Sequence, residues 1–419
     1  MSSESGKRPS ALVRAFRVLW GVEDSPRLRP VLSVTLLYNL AFSTFWSYVG
    51  IWAVFALGAR PSQVGVMFLF SASTSAVANF AGGWLSDRLG RKPPIVFGLL
   101  GQSAAVAGLV FVGRNIPLGF AIVTLAGVLA APARSSTTAI VADLTEPSER
   151  EAAYASVRVV NNLGAVLGPP IGGLLLIASD FRAFLFGVGA IGLVAAVIAY
   201  RFLPNPRVAA EATSSSGRRL VLRDLAFMLI VLSTLAGFVV YVAYETVLPI
   251  AMVSSYGLTP AAWGFLAVIN PVMVTLFQRR LTLRVADVPA GAKLIVALPL
   301  MGFPFLLLLV NSSIPMIVLV IILFVIGEML WSPTAQALAT RLAPLAQRGA
   351  YLGVYSASTT IAWMVAPLVA LQLREIGGDP AMWVFFAIAA VVGATTGYVA
   401  ARAAAGRVPE DESVPARTS

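Results

Sequence analysis

The sequence predicts an all-α integral membrane protein of about twelve transmembrane helices, arranged as two pseudo-symmetric six-helix bundles. Three observations predict it: a mean hydropathy of +0.84, long apolar runs, and segments that recur in the two halves of the chain. With 58% hydrophobic and 12% charged residues, the chain is too apolar for a soluble globule to bury. Lipid must replace water as its solvent. The apolar runs are unbroken rather than alternating, which excludes a membrane β-barrel.

The apolar runs have the length of membrane spans. A bilayer core of about 30 Å needs about 20 apolar residues per helical crossing. The first half reaches this length at 31–57, 62–85, 94–113, 116–142, 151–178 and 181–203. The second half reaches it at 224–251, 259–282, 290–311, 314–340, 349–373 and 380–404. The predicted organisation is therefore an arm (1–30), a bundle (31–203), a polar linker (204–223), a second bundle (224–404) and a tail (405–419).

Lysine and arginine predict the orientation. An even number of spans puts the arm, the linker and the tail on one side, together with basic loops that contain Arg88, Arg91, Arg279, Arg280 and Arg284. Short basic loops stay in the cytoplasm. We therefore expect a multi-pass protein of the inner (plasma) membrane with both termini cytoplasmic. The polar, basic start of the chain lacks a signal-peptide core and cleavage site, so no removed leader is expected.

The composition excludes several function classes. The net charge of +11 is spread over short loops, so nucleic acid is not an expected partner. The chain has no cysteine and no histidine, and it shows no metal-ligand cluster, nucleophile elbow or Walker A motif, so we expect no enzyme, no cofactor, no metal and no ATP drive. A channel would need polar rings or a filter loop, and the sequence shows neither, so we do not expect a channel. The expected partners are a small-molecule substrate, protons and the bilayer, and we expect a monomer.

The two halves contain matching segments. A Pro-x-x-x-Gly pattern starts the second span of each half, as Pro61 with Gly65 and Pro260 with Gly264. The fifth spans match at a common offset, Arg150 with Arg348 and Pro169 with Pro367. Parallel repeats in membrane proteins place a substrate path between the halves, near the bilayer midplane. This pattern favours transport over a duplication that serves packing alone.

A polar turn interrupts the apolar sequence between spans 2 and 3. Residues 82–92 read GGWLSDRLGRK, and their spacing resembles the cytoplasmic signature of the major facilitator superfamily at Gly83, Asp87, Arg88, Gly90 and Arg91. A glycine before the turn lets another helix approach, and a glycine within it permits a left-handed backbone. The positive-inside rule accounts for the basic residues, but not for Asp87 or the glycine spacing.

The resemblance implies a role for this turn. In that family an acid at the end of span 4 pairs with the basic residues, which here implies that Asp143 pairs with Arg88 or Arg91. Such a cluster would act as a cytoplasmic latch for one closed state. The equivalent turn of the second half keeps basic residues without the acid-and-glycine pattern, so we expect the latch to be asymmetric.

Span 5 carries a second family signature. Its glycines and proline resemble the signature of the drug:proton antiporters, the multidrug efflux branch, at Gly164, Gly168, Pro169, Gly172 and Gly173. Glycines four residues apart form a smooth face for a second helix, and the proline frees a backbone carbonyl. The alternative is a glycine face that serves close packing alone.

Four charged side chains lie deep inside predicted spans, more than five residues from either end, where a charge is costly and is often functional. Glu328 and Glu245 are the candidates for proton coupling, because a carboxyl away from water can hold a proton at neutral pH. The alternatives are a structural hydrogen bond for Glu328 and an outer, solvated position for Glu245. Arg134 and Arg158 are candidate cavity charges, either in ion pairs or in contact with substrate; Asp143, Glu146 or a substrate anion could pair with Arg158.

Aromatic and amide side chains of spans 1 and 7 predict the substrate cavity, at Asn39, Trp46, Tyr241 and Tyr244. A mostly apolar, aromatic pocket suits bulky lipophilic molecules. The sequence therefore predicts a secondary transporter that exports lipophilic or amphipathic drug-like compounds by proton-coupled alternating access. The alternative is a member of the same superfamily that exports or imports a sugar, a lipid or another metabolite.

Overall fold

The structure is a computed structural model that describes residues 28–146, 149–178, 180–205, 221–344 and 347–406. The described residues form helices and short connections, with no strand among them. Most of the predicted arm, linker and tail lies outside the described residues. The predicted all-α class is confirmed.

The first half contains six long helices. They are α1 Arg29–Phe55, α2 Pro61–Leu89, α3 Lys92–Gly108, α4 Ile116–Leu144, α5 Arg150–Ala178 and α6 Phe181–Phe202, and a 3-10 turn Leu109–Phe111 extends α3. Capping side chains fix where two of them begin. The Asn115 side chain accepts a hydrogen bond from the Leu118 N–H (3.1 Å), and Asp180 accepts one from the Arg182 N–H (2.9 Å).

The second half is more interrupted. Its helices are α7 Leu225–Val242, α8 Leu248–Ser254, α9 Pro260–Ala267, α10 Ile269–Arg284, α11 Ala290–Gly302, α12 Pro304–Leu307, α13 Ile314–Leu342 and α14 Arg348–Ala405, and a π-helical turn Ala243–Val247 joins α7 to α8. Prolines explain these interruptions, because Pro249, Pro271 and Pro304 each leave the carbonyl four residues earlier without its helical donor.

Ten helical stretches of the described chain are long and apolar enough to cross a membrane. The 27-residue α1 is not among them, because it carries polar side chains such as Asn39 and Thr44. The 58-residue α14 is one stretch, although it covers the last two predicted spans and is broken at Gly378 (φ 68°). One predicted span is therefore missing from the ten stretches, and two others are merged into one, which explains the difference from the twelve predicted spans.

Contacts divide the chain into two compact units. The first comprises Met1–Ala59, Phe70–Glu211 and Gly257–Pro271, and the second comprises Arg60–Leu69, Ala212–Tyr256 and Val272–Ser419. In the first unit, α1 packs against α5 and α6, and α3 packs against α4 and α6. In the second unit, α7 packs against α14, and α11 packs against α13 and α14. Since α14 covers the last two spans, the second unit repeats the packing of the first.

Each unit also includes a short segment from the other half of the sequence. In the first unit α9 packs on α5, and a Cβ on Gly264 would lie 2.6 Å from the Pro169 carbonyl oxygen. In the second unit α2 packs on α14, and a Cβ on Gly65 would lie 2.8 Å from the Pro367 carbonyl oxygen. The glycines of the two Pro-x-x-x-Gly segments therefore make equivalent contacts that exclude any side chain.

Candidate functional site

The α2–α3 turn is organised around Arg91. Its Nη1 lies 2.6 Å from Asp87 Oδ1 and 3.1 Å from Ser86 Oγ, and its Nε donates to Asp143 Oδ2 at 2.7 Å. Burial alone would lower the pKa of this guanidinium, but its hydrogen bonds and charge pairs with Asp143 and Asp87 outweigh burial and raise the pKa. Of the two basic residues that the resemblance offered, Arg91 pairs with Asp143.

Arg88 has a different role. Its guanidinium lies over the Trp84 ring, 4.0 Å from the ring centroid, and the side chain is exposed. Such a cation–π contact at the surface is worth about 0.5–1 kcal/mol. Arg88 therefore stabilises the end of α2 and contributes no ion pair to the cluster formed by the described residues around Arg91.

The glycines of the turn divide their roles. Gly90 has φ 87°, the left-handed backbone expected from its place in the turn. The close helix approach expected at Gly83 occurs one residue earlier. A Cβ on Gly82 would lie 2.5 Å from Pro132 Cα in α4, whereas a Cβ on Gly83 would meet no described atom within 4 Å. The reason is helical geometry, because adjacent residues on a helix face directions about 100° apart.

Asn205, which follows α6, was not predicted and holds the turn in place. Its Oδ1 accepts a hydrogen bond from the Lys92 N–H at 3.0 Å, and its Nδ2 donates to the Leu89 carbonyl oxygen at 3.4 Å. A Cβ on Gly90 would collide with this amide. An Asn between two prolines (PNP) after a span is the signal that the sequence offered for it.

The corresponding turn of the second half has no such cluster. Arg279, Arg280 and Arg284 are exposed, and none of them pairs with an acid within the described part of the chain. The second half has basic residues at this turn but no bridging arginine. This difference agrees with the expected asymmetry.

The glycine face of α5 contacts α1. A Cβ on Gly164 would lie 2.8 Å from Asn39 Cβ, and one on Gly168 would lie 2.6 Å from Ser43 Oγ. Gly172 packs against Tyr48 in the same way, and Gly173 lies beside the Tyr48 hydroxyl and Ala261 of α9. The predicted second helix is therefore α1.

Hydrogen bonds complete this interface at its proline. Pro169 has no N–H for the carbonyl of Ala165, and Ser43 Oγ donates to that oxygen at 3.3 Å. Tyr48 Oη donates to the Pro169 carbonyl at 2.8 Å. Tyr48 is therefore a fully buried packing residue.

A polar cavity of about 230 Å³ opens inside the first unit. Its walls come from α1, α4 and α5, and they include Tyr38, Asn39, Phe42, Arg134, Thr137 and Asn161. Asn39 Nδ2 donates to Asn161 Oδ1 at 2.7 Å and to the Thr35 carbonyl at 2.8 Å. The Arg134 guanidinium lies 5.5 Å from the centroid of the Phe42 ring. The cavity thus joins a cation and amides to an aromatic wall.

The two acids of the second unit share an aromatic cluster. Glu245 lies in the π-helical turn, and Tyr241 Oη is 3.4 Å from its Oε1. Tyr244 stacks on Phe324 at 4.8 Å, and Phe324 lies one helical turn before Glu328 in α13. Both carboxylates are close enough to Tyr241 and Tyr244 to interact electrostatically with them. Helix α7 winds into a π turn at Glu245 because Pro249 provides no N–H for its carbonyl.

The predicted cavity residues do not all lie in a cavity wall. Asn39 lines the cavity of the first unit, whereas Trp46 stacks on Phe42 (5.6 Å) one turn beyond it. Tyr244 is buried in the core of the second unit, and Tyr241 is half-buried beside Glu245. Sequence reasoning missed Tyr38 and Asn161, although an Asn inside an apolar span is itself a signal of a polar site.

Comparison with known proteins agrees with this architecture. The sequence profile of the Major Facilitator Superfamily matches residues 31–367. The uncharacterized MFS-type transporter YttB of Bacillus subtilis (strain 168) is 24% identical over 351 residues, which cover 82% of this chain and 87% of the relative. The multidrug resistance protein MdtH of Cronobacter sakazakii (strain ATCC BAA-894) is 29% identical over 323 residues, which cover 76% and 79% of the two chains.

Solved structures share the fold at lower identity. The peptide transporter POT in complex with sulfate superimposes with a TM-score of 0.70 at 17% identity, covering 91% of this chain and 94% of that one. The nucleoside transporter NupG superimposes with a TM-score of 0.73 at 13% identity, covering 89% and 100%. The profile match extends over most of the chain and includes the Arg91 turn, the α5 glycines and both acids of the second unit. This chain therefore belongs to the Major Facilitator Superfamily of membrane transporters.

Proposed function

We propose that this transporter exports lipophilic or amphipathic small molecules across the inner membrane in exchange for protons, by alternating access. The observation that carries the proposal is the pair of carboxylates, Glu245 and Glu328, beside one aromatic cluster of the second unit. Both lie inside membrane-capable helices, where a carboxylate is costly and its protonation removes the cost. Glu245 forms no ion pair with any described residue, so no described cation holds its charge.

The relatives support the direction of transport. Several are named multidrug resistance protein MdtH, and four of these are 28–29% identical over 76% of this chain. The α5 glycine face resembles the antiporter signature, and it supports export of the substrate in exchange for protons. In this proposal the α2–α3 turn lies on the cytoplasmic side, as do both termini.

The Arg91 cluster supports alternating access. Arg91 is only 13% exposed and joins the end of α2 to the end of α4 through Asp87 and Asp143. An arginine held by two carboxylates fixes one arrangement of these helix ends, and its release would permit another. We propose that it acts as the latch of one state of the transport cycle.

The test is proton exchange in proteoliposomes. Purified protein would be reconstituted with a trapped pH-sensitive dye, and a lipophilic fluorescent dye would serve as the substrate under a pH gradient of either sign. We expect substrate movement to run against proton movement. Glu328→Gln and Glu245→Gln should lose gradient-driven transport while dye binding is kept, because each glutamine preserves the shape and removes the titration.

Glu375→Gln is the matched control. Glu375 is 40% exposed and lies 3.8 Å from exposed Arg60, an ion pair that contributes little. It should transport like the unaltered protein. Unchanged gradient-driven transport in both Glu245→Gln and Glu328→Gln would remove the two glutamates from the coupling mechanism.

A further inference from the structure

The cavity of the first unit has a positive charge that no described residue neutralises in an ion pair. Arg134 is the only charged side chain among the described residues that line it. Arg134 forms no ion pair with any described residue, and its guanidinium instead meets the face of Phe42. Arg134 is exposed, and a cation inside a membrane-capable helix faces either a partner or a water-filled cavity. A bound anion would supply such a partner.

Arg158 adds a second cation at the same level. Tyr154 Oη donates to the Thr138 carbonyl at 3.3 Å, which joins α5 to α4. Arg134 precedes Thr138 by four residues, and Arg158 follows Tyr154 by four. Helices α4 and α5 are consecutive and antiparallel, so four residues back along α4 and four residues forward along α5 lead in the same direction. Both arginines therefore lie about one helical turn from the hydrogen bond, on the same side of it.

The protein partners considered for Arg158 do not pair with it. Asp143 is held by Arg91 at 2.7 Å. Neither Asp143 nor Glu146 forms an ion pair with Arg158, which is exposed and has no acidic partner in the described ranges. Of the predicted partners, the substrate anion remains.

Neutral groups of the cavity also have unused hydrogen-bonding capacity. The Tyr38 hydroxyl is buried in a side chain that is 9% exposed, and it has no hydrogen-bond partner among the described atoms. Asn161 accepts through Oδ1 from Asn39, which leaves its amide N–H groups without a described acceptor. Asn161 is half-buried in the cavity wall, so a ligand with acceptor oxygens can satisfy its amide, whereas the Tyr38 hydroxyl is closed to solvent and its side chain would have to move to reach a ligand.

The wall beside these groups is aromatic. Tyr38 and Phe42 line the cavity with ring centroids 6.0 Å apart, and Trp46 continues the stack beyond the cavity, 5.6 Å from Phe42. Ring faces arranged in this way bind the apolar body of a ligand. The polar and apolar groups of this cavity are therefore side by side.

We propose that this cavity binds amphipathic organic anions, with the carboxylate, sulfonate or phosphate group at Arg134 and the aromatic or aliphatic body against Tyr38 and Phe42. Arg158 adds long-range attraction, and Asn161 donates to the anionic oxygens. This substrate class rests on the proposed function, because it specifies what the transporter carries.

The test is equilibrium binding to the purified full-length protein by titration calorimetry. Three probes share one ring system and differ in charge: 1-naphthoate, 1-naphthamide and 1-naphthylmethylammonium. A charge-assisted contact contributes about 1.5–3 kcal/mol, so 1-naphthoate should bind at least about tenfold more tightly than 1-naphthamide. The ammonium probe should bind most weakly.

Three variants locate the anion site. Arg134→Gln should abolish the preference for 1-naphthoate, Arg134→Lys should keep part of it, and Arg158→Gln should reduce it by a smaller factor. Arg280→Gln, which removes an exposed arginine outside the cavity, should bind all three probes unchanged. Thermal unfolding of each variant separates lost binding from lost folding.

Two outcomes would overturn the inference. One is that 1-naphthoate binds no better than the neutral or cationic probe, or not at all. The other is that folded Arg134→Gln keeps the full preference. Binding of 1-naphthoate requires no proton exchange, so the binding measurements on the unaltered protein and the arginine variants do not depend on the role of Glu245 and Glu328. Failed proton exchange would therefore refute the proposed function alone, while binding that ignores the probe's charge would refute this inference alone.

Discussion

The two units of the protein share one packing plan, but the charged side chains deepest within their predicted spans have opposite sign. The first unit places Arg134 and Arg158 in its helices, and the second places Glu245 and Glu328. The pairing of helices is the same in both, from the first span against the fifth to the third against the fourth. The scaffold therefore does not decide which charge a unit contains; individual side chains do.

The difference in charge is also a difference in chemistry. A guanidinium is effectively always protonated in a protein, so arginines can attract an anion but cannot release protons at physiological pH. A carboxyl group held away from water can gain and lose a proton near neutral pH. In the proposed mechanism, the first unit recognises the substrate by fixed charge and the second responds to the proton gradient.

A second difference concerns how closely the helices approach. The glycines of α5 at 164, 168 and 172 correspond, at the offset that pairs Pro169 with Pro367, to Ala362, Ala366 and Ala370 of α14. All three alanines are buried. The first unit therefore brings α1 against a bare backbone, where the second unit leaves room for a methyl group.

The largest effect that we predict is at Gly168. A Cβ there would lie 2.6 Å from Ser43 Oγ and 2.8 Å from the Thr44 backbone nitrogen. Gly168→Leu must displace α1, because a backbone atom cannot rotate away. Overpacking of this kind costs about 1–3 kcal/mol or more. We expect a marked fall in the thermal unfolding temperature of purified protein, together with loss of transport.

The same substitution at Gly83 is the control, since a Cβ at Gly83 meets no described atom within 4 Å. Gly83→Leu should leave the unfolding temperature within a small margin of the unaltered protein. Ala366→Gly tests the counterpart in the second unit, where the loss of one methyl group should cost about 1 kcal/mol. Equal destabilisation by Gly168→Leu and Gly83→Leu would show that the α1–α5 contact is not sterically tight.

An intermediate effect is predicted for the bridging arginine. Arg91→Gln leaves Asp87 and Asp143 facing each other without the cation that holds them. Loss of one partner from a largely buried ion pair costs about 3–5 kcal/mol when burial is complete, and less at the 13% exposure of Arg91. We expect reduced transport of the substrate dye and a lower unfolding temperature, measured in the same preparations.

Arg280→Gln is the matched change in the second half. Arg280 is exposed and has no ion pair within the described residues, so both readouts should stay near those of the unaltered protein. Comparable losses in the two variants would contradict an asymmetric latch. Asp143→Asn should resemble Arg91→Gln more closely than Asp87→Asn does, because Asp143 is 11% exposed and Asp87 is 40% exposed.

The fold was largely predictable from the sequence, because membrane spans are set by runs of apolar residues and repeats by spacing. What the sequence left open were the interruptions. Pro249 and Pro304 were visible, but whether a proline bends a span, breaks it or produces a π turn depends on which neighbours satisfy the freed carbonyl. At Pro169, that neighbour is Ser43 from another helix.

The candidate site was predictable for charges and much less so for cavity walls. Charged side chains within spans stand out against apolar neighbours, so Arg134 and Glu245 could be selected by type alone. Aromatic residues are common in spans, and only packing separates Phe42, which lines the cavity, from Tyr48, which is fully buried. Tyr38 became visible through its unpartnered hydroxyl, a property that needs coordinates.

The smallest effect that we predict is at Asn205. This exposed amide makes two hydrogen bonds to the backbone of the α2–α3 turn, at 3.0 Å and 3.4 Å. The turn after α10 has no such side-chain contact among its described residues. A solvent-accessible hydrogen bond contributes about 0.5–1.5 kcal/mol, so Asn205→Ala should lower the unfolding temperature slightly. It should also reduce transport by less than Arg91→Gln does.

Asn205→Asp tests which of the two bonds matters. It keeps the acceptor for the Lys92 N–H and loses the donor to Leu89, so its stability should lie between that of Asn205→Ala and that of the unaltered protein. A loss in Asn205→Ala as large as that in Arg91→Gln would mean that the amide, rather than the ion pairs, holds the turn. The asymmetry between the two halves would then lie in the connection after α6 and not in the charges.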